Sequence, residues 1–393
     1  MKLPRLVILL ALALAGAAVS SGSALAARYH FRHRGPIGHH ASFVVGHAYV
    51  DDNTAVSNTV AGFDRHADGS LTPIPGSPFS VGGAGSGAGL ASQGAIQLSS
   101  DGRYLLAVDA RSNQISVLRL GFNGVPQPVG SPVSSGGVEP LSIAVSGSLV
   151  YVANAGASGP NVTGFQLGPN GSLYPLPGST VSLPAGSGPD DVLFDPTGRK
   201  LVVDLDNTSS IASFHVRRDG LLVAAPGSPI AGQGFGPFGA EFRPTNPSQL
   251  FVSNAHNVGA GTGTVSAFLV AGTGQLAPIG ASPFADLQTA PCWVEISHDG
   301  QFLFTVNTGS GEISRYLINP EGSLVLLGST EFGSAGAGAV DARLSPDGMT
   351  LLVDGSKAGV IASFAVNGGS LTELASSPTP LPTGAFAAGI VTD

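Results

Sequence analysis

The sequence predicts an all-β chain folded as a ring of seven four-stranded antiparallel sheets, and three observations predict it. First, a turn glycine recurs seven times, at Gly69, Gly124, Gly171, Gly220, Gly274, Gly322 and Gly369. The spacings run from 47 to 55 residues, the period of propeller and solenoid repeats. Second, each turn leads through a short strand to a similar exit, as in Gly76-Ser77-Pro78, Gly130-Ser131-Pro132, Gly227-Ser228-Pro229 and Ser376-Ser377-Pro378. Third, the 57 Gly and 29 Pro fall between short apolar runs, so they read as turns and not as a disordered tract. A ring of such sheets, a seven-bladed β-propeller, protects its own edges by closing.

Taken in order, the chain opens on a processing signal. Lys2 and Arg5 precede an apolar run from Leu6 to Val19, and Ser23-Ala24-Leu25-Ala26 offers a small-residue cleavage site. This predicts a signal peptide over residues 1–26 and a secreted or extracytoplasmic product. Residues 27–40 are basic and rich in His, with no recurring ligand spacing, so they read as a solvated linker. The propeller is assigned to residues 41–393. No later segment is apolar for long enough to span a bilayer.

One whole unit runs from Gly94 to Pro140. Strand one is Ala95–Leu98, followed by the turn Ser99-Ser100-Asp101-Gly102 and strand two, Tyr104–Val108. A loop over Asp109–Asn113 leads to strand three, Gln114–Leu120, then to the Asn123-Gly124 turn and strand four. Asp-Gly and Asn-Gly pairs supply the positive φ that hairpin tips require. The first unit starts directly on a second-type strand, Phe43–His47, while Ala387–Val391 reads as a first strand without successors. The C-terminal piece is therefore expected to complete the first sheet and latch the ring.

Formal net charge is −8, which disfavours nucleic acid and anionic membranes as partners. The lone Cys292 excludes an intramolecular disulfide. There is no G-x-S-x-G, C-x-x-C or H-E-x-x-H, and Gly234–Gly239 matches G-x-G-x-x-G only with a Pro and a following strand. Asp204-Leu205-Asp206-Asn207 lacks the further oxygen ligands of a calcium loop. The expectation is a monomer without cofactor or metal, meeting a small-molecule or protein ligand at the channel mouth.

Candidate site residues follow from aligning the first strands by their turns. One column holds Glu241, Glu295 and Arg343 from consecutive units; two residues earlier lie Asp191, Gly239, Trp293 and Asp341. Charged groups on innermost strands are costly to bury unless paired. A Glu295–Arg343 pair could simply hold neighbouring sheets in register. In the functional reading Glu241 and Glu295 activate water, Arg343 stabilises an oxyanion, and Trp293 stacks on a ring-shaped ligand. Asp191 and Asp341 would sit with Trp293 nearer the mouth. The loops between strands two and three add His47, Asp109, Arg111, Asn154, Asp204, Asp206, His256 and Asn307, of which Arg111 and His256 are taken as ligand-binding candidates.

Two phrases, Ser100-Asp101-Gly102-Arg103-Tyr104-Leu105-Leu106 and Pro346-Asp347-Gly348-Met349-Thr350-Leu351-Leu352-Val353, resemble the blade repeats of the seven-bladed lactonase-like propellers. That family includes 6-phosphogluconolactonase and the carboxymuconate-lactonising enzymes. Thr289-Ala290-Pro291-Cys292-Trp293-Val294 and Asn307-Thr308-Gly309-Ser310-Gly311 look like its exported bacterial members. The resemblance also marks departures. Pro189-Asp190-Asp191-Val192 stands where the enzymes carry His-x-His, Pro237-Phe238-Gly239 where they carry Pro-Arg-His, and Asn254-Ala255 where they carry Asn-Glu. It thus implies either a binding propeller whose catalytic set is replaced, or a lactone hydrolase with a rearranged site on Glu241, Glu295 and Arg343.

Overall fold

A computed structural model describes residues 42–157, 159–256, 258–332 and 338–393. The predicted signal peptide, the linker and Ala41 lie outside the described residues. Seven antiparallel sheets follow one another along the chain, six built from consecutive strands and the first completed by the C-terminal strand. Numbered in chain order, their innermost strands are Ile390–Thr392 in blade 1, Ile96–Leu98 in blade 2 and Pro140–Ser146 in blade 3. Pro189–Phe194, Pro237–Phe242, Pro291–Ile296 and Ala339–Leu344 serve blades 4 to 7. Each packs beside the next, and the C-terminal strand packs between blades 7 and 2, so the ring is closed. Among the described residues the one helical element is a short 3-10 turn, Asp206–Thr208, and no helix is long and apolar enough to cross a membrane.

The latch is as expected in kind and shifted in extent. The C-terminal strand pairs antiparallel with Val44–Asp51, matching Ala48 to Thr392, Tyr49 to Val391 and Val50 to Ile390. Val44–Asp51 runs four residues beyond the expected end at His47, because buried Ala48, Tyr49 and Val50 continue the apolar face. The ladder runs over Ile390–Thr392, so it takes only Ile390 and Val391 of the expected Ala387–Val391 and adds Thr392, although Ala388 N–H still donates to Asp51 O. Asp393 ties the end down: its carboxylate accepts the His47 N–H at 2.6 Å, and its carbonyl accepts from Arg65 at 2.8 Å.

The turn glycines that announced the repeat have two duties. Six of the seven adopt φ between 73° and 93°, and in blade 7 that role passes to Gly368. Each also abuts the preceding blade: Gly171 lies against the Tyr104 ring and Gly322 against Gln249 and Ile279. A side chain at these points would displace the neighbouring blade, so the glycine period records how closely blades approach.

The fourth strand is commonly in two pieces, both paired with strand three, as with Pro126–Pro128 and Val133–Ser134 on Gln114–Leu120. The exit serine repairs the break. Hydroxyls of Ser77, Ser179, Ser228, Ser282 and Ser377 accept strand-three N–H groups at 2.7–3.0 Å. A backbone donor that the interruption would orphan is thereby satisfied. Blade 6 instead keeps one strand, Leu324–Glu331, with a register shift against Arg315 and Tyr316.

Apolar burial lies between blades. One cluster joins Tyr49 and Val60 of blade 1 to Ile96, Leu105 and Leu118 of blade 2. Another joins Tyr151 and Val162 of blade 3 to Val192, Leu201 and Val203 of blade 4. Face-to-face sheet packing of this kind leaves the channel, lined by seven strand edges, as the place for polar groups.

Candidate functional site: a polar cup in the channel

An innermost strand has a neighbour on one side only, so its channel-facing N–H groups need acceptors. Side chains from elsewhere in the ring supply them. Val192 N–H donates to Ser142 Oγ at 3.1 Å, Ala240 N–H to Asp191 Oδ2 at 3.0 Å, and Leu344 N–H to Glu295 Oε1 at 3.0 Å. Ile390 N–H donates to Asp341 Oδ2 at 3.3 Å, which fastens the latch strand to blade 7. Ser142, Asp191, Glu295 and Asp341 are therefore inter-blade fasteners first.

Blade 5 breaks this series because residue 239 in the column is glycine. Gln93, from the loop leading into blade 2, reaches across the channel to fill the gap. Its Oε1 accepts the Val294 N–H at 3.1 Å, and its Nε2 donates to Ala240 O at 3.2 Å and Val294 O at 3.3 Å. The neighbouring Ser92 carbonyl accepts the Trp293 indole N–H at 2.8 Å. The Gln93 backbone N–H donates to Asp190 O. Gln93 and Ser92 are buried, and together they plug the channel on the side of the loops that enter the innermost strands.

Beneath the plug, Arg343 lies between two carboxylates, 3.3 Å from Glu295 and 3.7 Å from Glu241. The three residues drawn together from the sequence columns are indeed together in space. Their environments differ. The Glu295 side chain is 5% exposed, while Glu241 and Arg343 keep 27% and 21%. Glu241, Arg343, Gln97, Val145, Leu193 and Phe194 line a cup of about 150 Å³ roofed by Gln93 and Asp191. Accessibility falls from Val145, Leu193 and Phe194 toward buried Ser142, Asp191 and Asp341, so the cup opens on the face of the strand one–strand two turns. Phe194 is steadied there by an edge contact with Tyr151, ring centres 6.1 Å apart.

Burial pushes the Glu241 carboxyl up to about 8, the Glu295 charge adds to the rise, and Arg343 offsets part of it. Burial likewise raises Glu295, against the opposing pull of Arg343 and the Leu344 N–H. Asp191 is pushed by burial to about 8 and Asp341 to about 6. For Arg343, burial acts downward but is outweighed by Glu295, Asp341 and Glu241, so the guanidinium stays charged. Its Nε makes no hydrogen bond within the protein. The arrangement offers one partly exposed carboxyl poised near neutrality beside a permanent cation.

Of the remaining sequence candidates Asp191 touches the cup, as part of its roof. Trp293, Asp191 and Asp341, expected near an open mouth, sit instead at the plugged end. The Trp293 indole is 5% exposed and meets Phe238 edge-on at 5.0 Å, so its ring is engaged within the protein. Arg111 is exposed in the blade 2 loop, and His256 is an exposed residue 3.2 Å from Asp206; neither lines the cup. Asp109 accepts from Ser116, Asn154 donates to Asn161 and Asn307 donates to Ser314, one repeated tie between strands two and three. His47 belongs to the latch. Asp190 and Asp204 are buried with neither carboxylate oxygen hydrogen-bonded; burial first, then repulsion from Asp204 on Asp190 and from Asp191 and Asp206 on Asp204, holds both well above the carboxylate range. Among the described residues no group of three or more His, Cys, Asp or Glu is arranged to hold a metal ion. Gln93 was missed from the sequence; the one signal was the missing side chain at Gly239.

Fold and site define a closed seven-bladed β-propeller with an ionic cup in its channel. The likeness to the seven-bladed lactonase-like propellers holds: the family model described as lactonase, 7-bladed beta-propeller, matches residues 243–385. Among solved structures, a putative 6-phosphogluconolactonase from Bacteroides uniformis superposes with a TM-score of 0.71 at 18% identity. The match covers 88% of this chain and 99% of that one. The periplasmic gluconolactonase of Pseudomonas aeruginosa gives 0.71 at 18% identity, over 88% of this chain and 98% of that one. A streptogramin B lyase is more distant, with a TM-score of 0.53 at 18% identity over 75% of this chain and 85% of that one. No curated protein matches the sequence.

Proposed function

We propose that this protein hydrolyses a cyclic ester in the channel cup. The observation that carries the reading is Arg343 held between Glu241 and Glu295 on the wall of a water-accessible cup. The match to the lactonase propeller family and the fold shared with gluconolactonases support it.

In this reading Glu241, as carboxylate, takes a proton from a water molecule whose oxygen bonds to the lactone carbonyl carbon. The carbonyl electron pair moves onto oxygen, where Arg343 stabilises the charge. Collapse breaks the ring C–O bond, and Glu241 returns its proton to the departing alkoxide. The product is the open hydroxy acid, whose carboxyl then releases a proton to solvent. Glu295 acts as a positioning residue, because one oxygen is occupied by Leu344 N–H and the other faces Arg343. The reading includes export of the propeller after removal of residues 1–26.

The test is proton release in a pH-stat over a panel of lactones. Turnover that falls about 100-fold in Glu241→Gln, the scale of a general base, supports the proposal. Folded protein giving no rate above buffer on any lactone would overturn it.

A further inference from the structure

We infer that the cup is loaded from the turn face and accepts a compact, uncharged lactone ring, not a phosphorylated sugar lactone. This rests on the hydrolase reading above and adds the entrance and the substrate class.

The entrance follows from the plug. On the loop side Gln93 bonds to Ala240 and Val294 across the channel, and Ser92 receives the Trp293 indole. A ligand arriving there meets a buried roof whose Gln93 amide and Ser92 carbonyl are already engaged. On the opposite side Val145, Leu193 and Phe194 are half-buried, as are Glu241 and Arg343, whereas Ser142, Asp191 and Asp341 toward the plug are buried. Water reaches the ionic pair from that side, and so would a substrate.

Size sets the first limit on what enters. The cup holds about 150 Å³, and a cavity of about that volume takes a single benzene-sized ring. Pockets for drug-sized ligands begin near 300 Å³. A five- or six-membered lactone fits, whereas a sugar lactone bearing a phosphate exceeds the space.

Charge sets the second. Glu241, Glu295, Asp191 and Asp341 all act on the one cation, Arg343. A phosphate would have to displace Glu241 or Glu295 from that cation while meeting the other carboxyls, and like-charge juxtaposition discriminates strongly in a confined site. A neutral ester carbonyl needs only a donor, which the partly exposed Arg343 guanidinium can present without giving up its carboxylates.

The experiment compares δ-valerolactone, glucono-δ-lactone and 6-phosphoglucono-δ-lactone as substrates of the purified protein, with two variants at Gln97 and one at Ala91. Gln97 lines the cup, and Ala91 is exposed and directly precedes Ser92 of the plug. We expect kcat/KM for δ-valerolactone to exceed that for the phosphorylated lactone by about 100-fold, which corresponds to about 2.7 kcal/mol. Gln97→Trp should cut turnover at least tenfold by filling the cup, Gln97→Lys should narrow the preference against phosphate, and Ala91→Trp should leave rates unchanged. Equal or faster turnover of the phosphorylated lactone, abolished by Glu241→Gln, overturns the substrate class and spares the hydrolase reading. Loss in Ala91→Trp with none in Gln97→Trp overturns the entrance. No turnover of any lactone by folded protein removes the hydrolase reading and this inference with it.

Discussion

Gln93 occupies the space that any side chain at Gly239 would need. A Cβ at residue 239 would collide with Gln93 Oε1 and with the Cys292 carbonyl. The two residues are 146 positions apart in the chain, yet each explains the other: the glycine leaves a socket and the glutamine closes the channel through it.

Gly239→Ala should therefore destabilise the ring by about 2 kcal/mol, in the range of overpacking at a tight site. Urea unfolding followed by fluorescence of the single Trp293, which lies against the plug, reports it directly. An unchanged midpoint would show that the plug is not seated as described.

The two glutamates should separate. Glu241→Gln is expected to lower kcat about 100-fold with little change in Tm, since the group is partly solvated. Glu295→Leu removes a buried partner of Arg343 and the acceptor of the Leu344 N–H. Breaking such a pair costs about 3–5 kcal/mol, so this variant should lose Tm before its kinetics can be compared.

The pH–rate profile should track Glu241. Burial and Glu295 hold its carboxyl near 8, so kcat/KM should rise with pH and level off above that value as the base form accumulates. Because the Arg343 charge acts downward on Glu241, Arg343→Gln should move the rise to higher pH as well as lower the plateau. A flat profile from pH 6 to 9 would exclude Glu241 as the base.

Stability should fall as the solution is made alkaline. Burial raises Asp109 and Asp341 to about 6, Asp52 to about 7, and Asp191 and Glu241 to about 8. Each lies above its unfolded value of about 4, so between about pH 4 and 8 the folded chain binds more protons than the unfolded one. The slope of unfolding free energy with pH is then negative. Their contribution is whole below pH 4 and is lost as pH passes each folded value. Calorimetry should give a higher Tm at pH 5 than at pH 8.

The latch offers a fifth test. Val391 is 3% exposed within the cluster that joins blades 1 and 2. Val391→Asp buries an unpaired carboxylate in that seam and should cost more than about 3 kcal/mol. Limited proteolysis should then cut first in blade 1.

The ring was legible because its period is enforced at contact. A glycine that must accept a neighbouring side chain, as Gly171 accepts Tyr104, leaves a mark at every repeat. Glu241, Glu295 and Arg343 could be aligned because strand register carries equivalent residues to equivalent heights in the channel. Gln93 escaped because it acts outside any strand, through a loop whose partners are 147 and 201 residues away. The role of Trp293 was misplaced for the same reason: its indole N–H is satisfied by Ser92, a residue no periodicity connects to it. The outer strand breaks escaped too, since the alternation of strand four says nothing about where a serine hydroxyl replaces a ladder bond.

Blade 1 draws on both extremities of the domain, Val44–Asp51 and Ile390–Thr392. It is consequently the last to be finished, whatever order the other six adopt. A chain halted or nicked ahead of Ile390 is not a smaller propeller but an open horseshoe with two bare rims, ready to pair with another of its kind. Quality control of this molecule thus reduces to whether its final few residues arrive.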